Sequence, residues 1–420
     1  MASEKHFFET DILLPDFGKT SGTLWSVVAC DQYTSEPEYW KETEEKVGDA
    51  PSTLKLILPE VYLGGADERI PRINAEMDNY IKNVLSEHKN SMIYVERTLS
   101  SGKTRRGLVG AVDLEDYDFS KGSQSLIRAT EGTVLSRIPP RVKIRENAPL
   151  ELPHILMLAD DAEKTVIEPL SGKKGGFEKA YDFDLMQNGG HVAGYFVPEN
   201  EQRRIDEALR NLMTAESMKK RYGIDCAPLL FAVGDGNHSL ATAKACYEKL
   251  KEKLGDKAKE LPARYALVEI ENLHDDALEF EPIYRVVFGV DPENVKRGLC
   301  AYADSLSGSE APQSMEIISA DGEENFTFMN PEAQLTVGTL QNFLDKYVSE
   351  HEGAEIDYIH GEESLKKLAK KPNAVGFLFG GMKKDQLFKT VICDGALPRK
   401  TFSMGHANDK RFYLECRKIK

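Results

Sequence analysis

Apolar and polar residues alternate in two short stretches, "SMIYVERTL" ending at Leu99 and "RGLVGAVDL" ending at Leu114, on either side of "SSGKTR". A period of two gives each stretch one buried face, and a glycine-containing loop between them predicts a β-hairpin. The period lengthens in "ENEQRRIDEALRNLMTAESMKKR", from Glu199 to Arg221, where Ile205, Leu209, Leu212 and Met213 share one helical face. In "TLWSVVACDQYTSEPEYWKETEEKV" a short apolar run leads to a helix start, with Ser35 as cap, Pro37 in the first turn and Glu38 completing a capping box. Asp31 therefore lies at a strand-to-helix junction. Its carboxylate, or that of Glu36, is a candidate to deprotonate a small alcohol or hold magnesium, with helix capping the alternative for Glu36 above all.

Further along, "SMEIIS" and "NFTFM" flank "ADGEE" as a second hairpin, and "AEIDYIHGEESLKKLAKKPNAVGFLFG" reads strand, helix, strand. "LFKTVICD" reads as a strand before the loop "LPRKTFSMGH". Residues 116–161 and 181–197 are turn-rich but too apolar for linkers, so packed, irregular segments are expected there. "SLSGSEAPQ", Ser305 to Gln313, combines glycine, proline and small polar residues as a linker does. The expected divisions are residues 1–198, 199–304 and 305–420. The expected fold is α+β with mixed sheets, a hairpin-rich N-terminal domain and a C-terminal α/β portion.

One stretch changes character midway. In "LLFAVGDGNHSLATAKACYEKL" five apolar residues, Leu229 to Val233, lead into Gly234, Asp235 and Gly236, and a helical pattern begins near Asn237. A strand, a glycine turn and a helix start place unpaired backbone N–H groups and the positive end of a macrodipole at a sheet end, which suits an anion, phosphate above all. Gly234, Gly236, Asn237 and Ser239 are the candidate phosphate-binding positions, with Asn237 or Ser239 alternatively a simple N-cap. Asp235 is a candidate metal ligand or carboxylate catalyst, and His238 a candidate phosphate donor or proton carrier.

Charge narrows the partners. The chain has 420 residues, 54 basic and 69 acidic, for a net charge of −15, which opposes duplex nucleic acid and anionic lipid but not a small anion in a locally basic pocket. Six scattered cysteines without short paired spacing point to reduced thiols. The charged N-terminus and the lack of a run of about 18 apolar residues point to a cytoplasmic protein without a membrane partner. Arg128, Arg137, Arg141, Lys143 and Arg145 form a basic run able to attract phosphate, with Arg128 a candidate phosphate contact, or a solvated face bridged to nearby acids; Glu131 among them is a candidate general base or their salt-bridge partner. Arg285 is a candidate buried anion contact, and Arg399, Lys400 and Thr401 a second phosphate loop. His274, Asp275 and Asp276 are adjacent and so point different ways, a poor metal set. Neither a serine elbow nor a P-loop signature occurs.

The glycine-histidine loop, the segment "RATEGTVLSRIPPRVKIRENAPLELPHILML" and the C-terminal "GALPRKTFSM" together resemble the domain of unknown function family 1015, over nearly the whole chain. The family's A-D-G-H-H-R loop corresponds to G-D-G-N-H-S here, so Asp235, Gly236 and His238 match while Asn237 and Ser239 replace a histidine and an arginine. Its H-E-x-T element corresponds to Thr130, Glu131, Gly132 and Thr133. Its P-x-K-S-T segment corresponds to Pro398, Arg399, Lys400 and Thr401, and its early Y-D-V turn to "CDQ", with Asp31 retained. The family loop is similar to that of the ParB and sulfiredoxin-like nucleotide-binding fold, which includes kinases of free serine. The resemblance implies a ParB/sulfiredoxin-like unit, ATP or ADP, and magnesium. Two functions stay open: an enzyme that transfers or removes a phosphoryl group on a small metabolite such as serine or phosphoserine, and a non-catalytic sensor or assembly protein that binds a nucleotide or phosphometabolite. Loss of the loop arginine and of two family histidines favours the second.

Overall fold

The computed structural model describes residues 5–132 and 138–420, without the side chains of Pro139 and Pro140. The chain packs as two units, Met1–Leu278 with His406–Lys420, and Glu279–Gly405. The boundaries expected after residues 198 and 304 do not coincide with these. The Leu229–Val233 run enters the sheet that also holds the first hairpin, and Ser305–Gln313 joins a helix to a strand inside the second unit.

The first unit is built on a ten-stranded mixed sheet. In chain order its strands are β1 (Phe7–Phe8), β2 (Ile93–Thr98), β3 (Thr104–Asp113), β4 (Tyr117–Asp118), β5 (Ile127–Ala129), β6 (Leu156–Ala159), β7 (Lys179–Asp184), β8 (His191–Phe196), β9 (Phe231–Asp235) and β10 (Tyr265–Asn272). Their spatial order is β7-β8-β2-β3-β10-β6-β9-β5-β4, with β1 on β3. The predicted hairpin is β2–β3, in register from Ile93↔Val109 to Thr98↔Thr104. Its alternation covers both faces: Tyr94, Leu108, Val268 and Ile270 enter one core, and Ile93, Val95, Val109 and Leu267 enter another. Four helices of this unit matter here: α1 (Pro37–Val47), α2 (Ile138–Arg145), α3 (Glu199–Leu212) and α4 (Asn237–Leu254). Among the described residues no helix is long and apolar enough to cross a membrane.

The second unit carries β11 (Phe280–Phe288), β12 (Gln313–Ser319), β13 (Gly322–Phe328), β14 (Glu355–His360), β15 (Ala374–Phe379) and β16 (Phe402–Met404), in the order β13-β12-β15-β11-β14 with β16 on β11. β12–β13 is the second predicted hairpin and β14–helix–β15 the predicted strand-helix-strand, its helix spanning Glu362–Ala369. The architecture is a mixed α/β fold with parallel and antiparallel pairings in its largest sheet.

Four local expectations are corrected. Residues 181–197 are not irregular, because β7 and β8 form a hairpin whose turn places Gln187 and Asn188 at φ +51° and +60°. "LFKTVICD" belongs to a helix, Lys384–Cys393: Leu387, Phe388, Thr390 and Val391 are buried at helical spacing, and the Gln386 side chain accepts from Lys383 N–H at 2.9 Å. The 199–221 helix breaks after Leu212, since Thr214 Oγ1 accepts from Ser217 N–H at 3.2 Å and caps a new helix, Ala215–Tyr222. Ser35 does not cap α1, whose N-cap is Glu36 with no side-chain cap bond.

Candidate functional site

β9 runs parallel to β5 (Val233↔Ala129) and antiparallel to β6 (Asp235↔Leu156), so the loop after β9 lies beside Thr130–Glu131 and His154–Ile155. Carboxyl ends of parallel strands are where open mixed sheets bind ligands. Gly236 makes the turn with φ +76°, and a Cβ there would stand 2.9 Å from Ile155 Cα. Only glycine meets both the left-handed backbone and the close approach. α4 follows at once, and no side chain caps its N-terminus. Asn237 does not serve as that cap. It is buried, donating from Nδ2 to Val233 O at 3.3 Å and to Thr130 Oγ1 at 3.4 Å, while Thr130 Oγ1 donates to Val233 O at 2.7 Å. Both tie the helix start to the β5–β9 pair.

The C-terminal segment returns to the first unit and completes this corner. Arg411 is buried, its guanidinium held by Glu269 and Glu415, each at 2.7 Å. Ala29 N–H donates to Arg411 O at 2.9 Å, Tyr413 N–H donates to Val27 O at 2.8 Å, and Val28 pairs with Phe412 in an isolated antiparallel bridge. That pairing sets Lys410 beside Asp31. Lys410 Nζ in turn forms an ion pair with Asp235 Oδ2 at 3.1 Å, while Asp235 Oδ1 accepts from Gly236 N–H at 2.8 Å.

Lys410 therefore pairs directly with Asp235 and acts on Asp31, far away in sequence, through its charge. Burial pushes the half-buried Asp31 carboxyl up, but the charges of His154 and Lys410 and a hydrogen bond from Gln32 outweigh it and hold the group below the usual carboxylate range. It is ionised at neutral pH. Tyr413 OH shares a 2.8 Å hydrogen bond with His154 Nδ1 and accepts from Cys30 N–H at 3.2 Å. Burial and the Asp31 charge push the Cys30 thiol up to about 12, so it is no thiolate nucleophile. The corner thus offers the head of an 18-residue helix, one cation, two carboxylates and a tyrosine–histidine pair.

The remaining predicted residues are distributed as follows. Gly234, Gly236, Asn237, His238 and Ser239 line the strand-to-helix turn. Glu131 is exposed just past β5, whereas Thr133 and Arg137 lie outside the described residues. Arg128 is buried and donates to the carbonyls of Ser125, Ala227 and Pro228 at 2.9–3.2 Å rather than standing free for an anion. The rest of the basic run is matched to acids, Arg141 to Glu60, Lys143 to Asp67 and Arg145 to Glu151. Arg285, in the second unit, is likewise engaged by protein acceptors. Its guanidinium donates to Gln341 Oε1 at 3.0 Å and to the carbonyls of Ile283, Arg399 and Lys400. It thereby fastens the 399–401 loop. There Arg399 pairs with Asp345, Thr401 Oγ1 donates to Pro398 O at 2.7 Å, and Lys400 sits at φ +56°. His274, Asp275 and Asp276 take separate partners: Asp160 at 2.6 Å, the Ala277 N–H at 2.8 Å and Lys164 at 3.4 Å. Among the described residues no group of three His, Cys, Asp or Glu is placed to hold a metal.

Sequence reasoning missed Lys410, His154 and Tyr413. Nothing local marks them, because the Val28–Phe412 bridge and the Asp235–Leu156 pairing bring them in over long sequence separations.

The sequence matches a protein-family model. That model, "Protein of unknown function (DUF1015)", covers residues 16–349, and the chain belongs to this family. No curated protein matches the sequence. Among solved structures the chain is similar to a conserved hypothetical protein from Pyrococcus furiosus (TM-score 0.34, 11% identity, 74% of this chain and 94% of that one). It is also similar to a mutant free serine kinase in complex with ADP (TM-score 0.36, 12% identity, 74% and 91%). A free serine kinase in complex with AMP gives TM-score 0.35, 12% identity, 74% and 90%.

Proposed function

We propose that the first unit binds the phosphate of a small metabolite or nucleotide at the head of α4 beside Lys410, and transfers or removes a phosphoryl group there. One observation carries the reading: Lys410, from the end of the unit's chain, pairs with Asp235 next to an uncapped helix N-terminus and is near enough to Asp31 for its charge to help hold that carboxyl ionised. Phosphoryl transfer needs positioning and charge neutralisation more than covalent chemistry. Lys410 and the first amides of α4 would hold phosphate oxygens. An ionised Asp31 would take the proton of an acceptor hydroxyl or water as the new O–P bond forms, while the donor's P–O electron pair leaves with its bridging oxygen. Arg128, Arg285, Arg399 and Thr401 have no part in it.

Magnesium characteristically takes one or two carboxylates together with substrate phosphates. Asp31 and Asp235 supply that donor set, so a divalent ion would be held with the phosphate and would neutralise its charge. The second reading, binding without chemistry, is favoured by the Lys410–Asp235 pair, which already satisfies the loop carboxylate, and by Ser239 in place of the family's arginine. Turnover separates the two. The test supplies ATP or ADP with serine, or phosphoserine alone, with and without magnesium. Turnover lost at least 100-fold in Asp31→Asn supports the enzyme. Nucleotide binding without turnover supports the sensor, and neither binding nor turnover overturns both.

A further inference from the structure

Beside the candidate site lies a cavity of about 140 Å³ whose walls are largely hydrocarbon, from Leu56, Leu58, Met77, Ile144, Leu150 and Leu152. At one end stand Cys30, His154, Tyr413 and Ser239, the groups that border Asp31 and the first turn of α4. The cations on its wall are already neutralised: Arg141 pairs with Glu60, and Arg145 with Glu151 at 2.5 Å, where Glu151 also holds Arg417 at 2.6 Å. A charged ligand group entering here would lose its hydration and gain no unpaired counter-charge. An apolar group loses nothing. Hydrocarbon-lined cavities of about 150 Å³ stay dry and accept a benzene-sized guest.

We infer that this cavity receives the uncharged, apolar body of the small molecule whose hydroxyl or phosphate lies at Asp31, Asp235 and Lys410, with room for a single six-membered ring. The assignment rests on the phosphoryl reading above for its polar end and on the cavity alone for its apolar end. It makes the substrate class an alcohol, or its phosphate ester, carried on a hydrocarbon or aromatic arm. Free serine fits it poorly, because its ammonium and carboxylate would have to face leucine and methionine side chains. The His154–Tyr413 pair is then the boundary between head and body. The cavity end that holds it also holds Ser239, so a ligand filling the cavity would lie against the first turn of α4.

The test is ligand-observed NMR of benzyl alcohol with the full-length chain, beside an independent ³¹P titration of pyrophosphate. Saturable benzyl alcohol binding is expected, weakened at least tenfold in Ile144→Trp and in Leu63→Trp, which fill the cavity from two different walls. Thermal melts of both variants establish that they fold. A bulkier probe, 1-naphthalenemethanol, should bind at least tenfold more weakly than benzyl alcohol. No binding of benzyl alcohol to the wild type, or equal binding by the folded variants, overturns the inference. Benzyl alcohol binding that is blocked by the tryptophans, with no pyrophosphate binding, supports the cavity assignment and sinks the phosphoryl reading alone.

Discussion

Gly236→Ala tests the turn on which the site is built. The residue sits at φ +76°, and its added Cβ would come within 2.9 Å of Ile155 Cα and 3.4 Å of His154 O. A left-handed backbone costs an alanine about 1–2 kcal/mol. The contact is with main chain just before β6, where Ile155 O accepts from Glu269 N–H at 3.1 Å; backbone so held cannot swing aside as a flexible side chain would, and overpacking of this kind adds roughly 1–3 kcal/mol. The expected loss is therefore roughly 2–5 kcal/mol. Gly223→Ala is the internal control: its φ is +73°, but nothing lies within 4 Å of its Cβ, so only the backbone part remains, about 1–2 kcal/mol. Urea unfolding of both variants, followed by far-UV circular dichroism, gives the difference directly. Equal losses in the two would mean that Gly236 and the His154–Ile155 backbone are not in close contact, and the juxtaposition of His154 with the loop would fail with it.

Two further perturbations probe buried charges. Arg285→Met should leave Gln341 Oε1 and three carbonyls without their donor, costing roughly 3–5 kcal/mol by urea unfolding and exposing the 399–401 loop to protease; a loss under about 1 kcal/mol would contradict the assigned bonds. Glu271 is fully buried, and burial followed by the nearby Glu269 and Asp275 charges raises its pKa to about 8 against the opposing pull of Arg105, 2.6 Å away. A carboxyl raised on folding contributes stability that is present below its unfolded pKa and is lost as pH climbs to about 8. Wild type minus Glu271→Gln should therefore show a stability difference that shrinks from pH 5 to pH 8, and a flat or rising difference would contradict it.

The sequence made legible what depends on neighbours along the chain. The β2–β3 and β12–β13 hairpins follow from alternation and loop chemistry, and the strand-turn-helix at Gly236 from an apolar run meeting two glycines. The misses have physical causes as well. The β7–β8 hairpin hid because its turn uses Gln187 and Asn188 at positive φ ahead of the expected glycine. Lys384–Cys393 read as a strand because Leu387, Phe388, Val391 and Ile392 suit either period, and the partners that choose between them are not local. Arg128 was a candidate anion ligand because it opens a basic run, and Arg285 because a cation in an apolar stretch needs acceptors; the sequence does not show that backbone carbonyls supply acceptors to both. Asp31 and Asp235 were both candidates, but the lysine that pairs with Asp235 and lends its charge to Asp31 arrives only through the pairing of residues 27–29 with residues 411–413.

The central claim is that Lys410, paired with Asp235 and near Asp31, binds phosphate at the head of α4. Isothermal titration of pyrophosphate into wild type and Lys410→Met tests it most directly. Loss of one charge-assisted hydrogen bond, roughly 1.5–3 kcal/mol, should weaken binding about 10- to 100-fold. Unchanged affinity in the folded variant, or no pyrophosphate binding by the wild type, would contradict it.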